Sequence, residues 1–138
     1  MNKTEFENLA SIRIKEAEIL LTADCYQGAY YLAGYALECI LKACIAKQVK
    51  EFDFPDKKLA NDSYTHKLAN LVITAGLKEK LVEQENQNEG FKLNWAVVNK
   101  WSEESRYECV IKKQDAYDLF IAITDNESGI LPWLKKYL

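Results

Sequence analysis

The residues of this chain best suited to chemistry are few: one histidine, two arginines and one acid–base pair inside an apolar run. His66 stands in Tyr64-Thr65-His66, just ahead of a helical pattern. Two roles are open to it: a packed or capping group at the helix start, or a proton donor and acceptor, because histidine is the side chain that ordinarily titrates near neutrality. Arg106 lies in Trp101-Ser102-Glu103-Glu104-Ser105-Arg106-Tyr107-Glu108. There a guanidinium can pair with Glu103 or Glu104 and pin a helix end, or stack on a ring and contact a phosphate. Glu38 and Lys42 are four apart, so on a helix they share a face and can pair or line a groove. The candidate ligand contacts are therefore Glu38, Lys42, Arg106 and Tyr107. The candidates for catalysis are Arg106, Tyr107 and His66.

Other chemistries lack their residues. There is no glycine-rich phosphate loop, no His-Glu-x-x-His and no pair of Glu-x-x-His motifs of the kind a di-metal bundle needs. The four cysteines (Cys25, Cys39, Cys44 and Cys109) form no Cys-x-x-Cys pair, and one histidine cannot complete a zinc site with them. No metal and no cofactor is expected. Charge is 18 basic against 21 acidic residues, a net of −3, with a pI near 5.3. That balance argues against a nucleic-acid binder driven by bulk electrostatics, although it leaves room for a local basic groove.

The elements that must position these residues read as helices. Five glycines and two prolines are too few for an all-β chain of 138 residues. Phe6, Leu9, Ala10, Ile12, Ala17, Leu20 and Leu21 recur near helical period, predicting a helix from about Lys3 to Asp24 that opens on a capping-box form at Thr4–Glu7. A break at 24–26 precedes a second helix, Gln27 to Lys50, apolar nearly all round. Its length is that of a membrane span, but Glu38 and Lys42 sit mid-run, each costing roughly 3 kcal/mol at a bilayer centre. A buried helix is the better reading. Ala29, Ala33, Ala36, Ile40 and Ala43 make a stripe of mostly small residues, so this helix is either the centre of a bundle or closed on one side by a second subunit.

Glu51 to Ser63 reads as a loop, followed by a short helix from Thr65 ended by Gly76, a polar helix over Leu77–Gln87, and a helical segment over Phe91–Trp101. Lys113–Asn126 is amphipathic, and Gly129–Leu138 continues as a last helix. The opening segment has acids among its apolar residues and no cleavage-site pattern, so a cytoplasmic location is expected. With no repeat or linker, residues 1–138 are expected to form one helical domain.

The run Tyr30-Tyr31-Leu32-Ala33-Gly34-Tyr35-Ala36-Leu37-Glu38-Cys39-Ile40-Leu41-Lys42-Ala43 resembles the second-helix signature of the HEPN domain family. Thr65-His66-Lys67-Leu68, Asn94-Trp95 and Trp101 through Arg106-Tyr107 follow in the order of that family's landmarks. The resemblance implies an all-α, up-and-down bundle of four to five main helices, dimerising around its inner helices. Many members are metal-independent ribonucleases, often toxins paired with a nucleotidyltransferase-like protein, while others bind nucleotides or partners without cleaving. The ribonuclease signature is Arg followed by His with four to six residues between. After Arg106 those positions hold Ile111, Lys112 and Lys113, and after Arg13 they hold Glu18, Ile19 and Leu20. The expected function is accordingly a non-catalytic homodimeric binding module that engages RNA, a nucleotide or a protein partner through a groove near Arg106. The alternative is a divergent ribonuclease toxin using Arg106, Tyr107 and His66.

Overall fold

A computed structural model describes residues 1–49, 54 and 56–138. Among them the chain is all helical: α1 (Lys3–Thr22), α2 (Tyr26–Ala46), α3 (Lys57–Asp62), α4 (Leu68–Thr74), α5 (Lys78–Gln87), α6 (Glu89–Val98), α7 (Lys113–Thr124) and α8 (Ile130–Lys135), with a 3-10 turn at Glu103–Tyr107. No strand occurs among the described residues.

The first helix begins at Lys3, as expected, with its capping box on Asn2 and Glu5 instead of Thr4 and Glu7. Asn2 is the cap: its side chain accepts from the Glu5 amide at 2.9 Å, and the Glu5 carboxylate accepts from the Asn2 amide at 2.8 Å. The reciprocal pair satisfies two amides that the first turn would otherwise leave open. The helix stops at Thr22, before the expected Asp24, because Asp24 takes a left-handed conformation (φ 61°) that reverses the chain. Hence α2 runs back along α1.

Around α2 lie α1, α4, α7, α8 and the 3-10 turn, all from the same chain. Twelve of its residues are buried, and the neighbours around it put it at the centre of the bundle. Ala10 and Ala17 of α1 and Ala29, Ala33, Ala36 and Ala43 of α2 are all buried, and side chains this small let neighbouring helices come close. Although α2 has the length and composition of a membrane span, most of it is covered by other helices of this fold.

One reading fails between the large helices. The segment taken as a loop to Ser63 contains α3, since Asp56 caps it by accepting from the Lys58 and Leu59 amides at 2.9 and 3.3 Å and Lys58 reaches Asp62 one turn on. Residues 50–53 and 55, including the expected end of the second helix and part of that loop, lie outside the described residues. Further on, α4 is shorter than expected and starts at Leu68, so Thr65 and His66 precede it. Gly76 (φ 74°) ends this turn, as its position predicts. The segment expected over Phe91–Trp101 is helical but runs from Glu89 to Val98: Asn88 caps α6 by accepting from the Phe91 amide at 2.9 Å. Pro132 falls in the first turn of α8, where a missing N–H costs nothing. Because so many connections are themselves short helices, eight helices stand among the described residues where four to five main ones were expected.

Candidate functional site

One face of α2 carries Tyr31, Gly34, Tyr35, Glu38 and Lys42, at spacings of three, four and seven that return to the same side of a helix. Everything of chemical interest meets this face, but at two separate places.

Toward the C-terminal end, Glu38 is 2% exposed. Its Oε1 accepts from Lys42 Nζ at 2.9 Å and lies 2.8 Å from His66 Nδ1. The expected pair of Glu38 with Lys42 is therefore present, and His66 joins it from 28 residues away. His66 caps nothing. Donating to this carboxylate, Nδ1 carries a proton, and Nε2 is left out of the contact on a ring whose side chain is 48% exposed. Burial has a second consequence nearby. It pushes the Cys39 thiol up to about 11, the Glu38 charge adding to the effect, and burial also raises Tyr35. Both groups are held neutral beside the carboxylate.

Toward the N-terminal end, the 3-10 turn packs on α2. Trp101 lies flat against Gly34, so closely that a Cβ there would fall inside the indole. Glycine in mid-helix costs about 1 kcal/mol relative to alanine, and here it opens a seat for the ring. Tyr31 continues the contact: its ring stacks on Trp101 at 6.2 Å and on Tyr35 at 5.9 Å. Arg106 projects from the turn into solvent with its guanidinium 4.8 Å from the Tyr107 ring centre. The Tyr107 phenol, and after it that of Tyr31, raises the arginine pKa. No carboxylate lies within 4 Å of it among the described residues, so the expected pairing with Glu103 or Glu104 is not made. Stacking is the reading the geometry bears out. Tyr107 itself is 68% exposed.

Arg106 and Glu38 meet this face at different heights. Tyr31 and Glu38 are seven residues apart, or about 10 Å along the helix axis. Three buried polar atoms, Glu38 Oε2, Trp101 Nε1 and Ser105 Oγ, have no hydrogen-bond partner among the described residues. All three belong to α2 or to the segment folded over it. The other arginine, Arg13, is spent on Glu16 one turn along α1, at 2.6 Å. Asn94 has a structural task, donating to the Ser128 carbonyl at 2.9 Å.

The aromatic layer of Tyr31, Tyr35 and Trp101 was not singled out from sequence. Its signal was there in Gly34, a helix-weakening residue inside an otherwise favourable run, and in the four-residue spacing of the two tyrosines. Comparison with family models, with curated proteins and with solved structures finds nothing that matches this chain.

Proposed function

We propose that this chain is a HEPN-like binding module that holds a phosphate of single-stranded RNA or of a nucleotide at Arg106 without cleaving it. The observation that carries the reading is the state of Arg106. It is exposed, stacked on Tyr107 and free of any carboxylate within 4 Å among the described residues, although Glu103, Glu104 and Glu108 are close in sequence. A guanidinium on an aromatic plane suits a phosphate with a base stacked beside it. The reading includes a cytoplasmic homodimer and a nucleotidyltransferase-like partner protein, which light scattering and co-expression test separately. For the site itself, the experiment is anisotropy of a labelled single-stranded oligoribonucleotide at about 50 mM salt, where phosphate contacts are strong. Wild type should bind, Arg106→Ala should lose roughly ten-fold, and the salt slope should fall by about one phosphate contact. Absence of binding at low salt sinks the reading.

A second reading, a divergent metal-independent ribonuclease, is favoured by one observation. His66 is oriented by a buried carboxylate with Nε2 left open, an arrangement suited to proton transfer. Turnover of RNA by pure protein without added metal, abolished in both His66→Ala and Arg106→Ala, establishes it over the binding module.

A further inference from the structure

Between the start of α4 and the segment 99–104 lies a cleft of about 490 Å3, within the size range of small-molecule sites. Lys67 and Asn70 form one lip, Lys100, Glu103 and Glu104 the other, and Trp101 part of the floor. Two ammonium groups and two carboxylates thus share one cleft, yet none of them has an opposite charge within 4 Å among the described residues. Ser102 organises the acidic lip. Its hydroxyl accepts from the Glu104 amide at 3.1 Å and lies 3.4 Å from the carboxylate of Glu103, which is only partly exposed. Opposite charges held apart in this way complement a ligand that brings both an anion and an edge of N–H donors.

We propose that this cleft reads a guanine base, with a Glu103 or Glu104 carboxylate on its N1–H and N2–H groups and Lys67 or Lys100 toward its phosphate. Among the four bases only guanine sets two adjacent N–H donors on its Watson–Crick edge, the number a carboxylate can accept side by side. Adenine and cytosine turn a ring acceptor toward the carboxylate, and uracil flanks its single donor with carbonyls. The proposal rests on the reading of Arg106 as a phosphate contact, which sits two residues beyond Glu104 and gives the cleft the substrate class it would discriminate within. The guanine has two sources, a free nucleotide or an unpaired residue in RNA.

The test is calorimetric titration of the full chain with GMP, AMP, CMP, UMP and IMP, beside anisotropy of an oligouridylate with and without one central guanosine. GMP should bind about ten-fold or more tightly than AMP, CMP or UMP, and IMP, lacking the 2-amino group, about five-fold less tightly than GMP. Glu103→Gln should erase the preference, and the IMP comparison keeps the test valid if that variant does not fold. A gain from guanosine only within the oligonucleotide identifies RNA as the source; a preference confined to mononucleotides identifies the free nucleotide. Equal affinity for GMP and IMP, or for all four nucleotides, overturns the proposal. Loss of RNA binding in Arg106→Ala with no guanine preference overturns it while leaving the Arg106 reading in place. A guanine preference that survives Arg106→Ala unchanged does the reverse.

Discussion

At Glu38 a carboxylate almost wholly removed from water is held between Lys42 and His66, whereas seven residues earlier on the same helix face Tyr31 adjoins a guanidinium that has no carboxylate near it. The first arrangement pairs its charge internally through one carboxylate oxygen and ties the segment before α4 to the core. The second leaves its charge unspent at the surface. A buried ion pair contributes little net stability over an apolar replacement, yet losing one partner is costly because the other is stranded. An exposed, stacked arginine has the opposite profile: little to fold stability, much to an incoming anion. One helix face therefore separates residues that hold the structure from residues positioned to bind.

The sharpest way to break this contrast is Glu38→Ala. It strands Lys42 Nζ, whose side chain is 17% exposed, and releases His66. We expect a loss of about 3–5 kcal/mol in urea unfolding; a loss below about 1 kcal/mol would remove the distinction between the two ends. Next comes Gly34→Ala, which pushes a methyl group into the Trp101 ring and should cost about 1–3 kcal/mol. Its signature is a red shift of tryptophan emission as Trp101 is displaced, and an unshifted spectrum contradicts the packing described. Smaller again is His66→Ala. The half-exposed imidazole should contribute only about 0.2–1 kcal/mol, and a double-mutant cycle with Glu38→Gln should return most of that as coupling. Smallest of all is Arg106→Ala, for which the urea midpoint should not move measurably while anion binding falls. A clear midpoint shift there would make the arginine structural.

Much of the fold could be read from residue pattern alone. The two long helices, the glycine stop at 76 and the amphipathic α7 follow from local periodicity and capping, which do not depend on what packs where. The missed helix α3 shows the limit of such signals: six residues are too few for a periodic pattern, and a lone Asp56 cap is easily read as turn chemistry. For the site, Glu38 with Lys42 was legible because the pair is local. His66 reaches Glu38 only through the fold, across 28 residues, so no spacing rule could join them. Arg106 has three glutamates close in sequence, and only the direction in which the 3-10 turn faces decides that it pairs with none of them.

The central position of α2 also sets how the molecule opens. Five segments pack on it, so its amides can be exposed to solvent only when most of the fold is lost. Hydrogen exchange at Glu38 and its neighbours should accordingly track global unfolding. The 3-10 turn, with Arg106 and Tyr107 exposed on it, is a short segment whose amides can exchange through local opening. The slow half of the site is then a fixed reference against which the fast half breathes, and a ligand that grips Arg106 would be read as protection appearing in the turn alone.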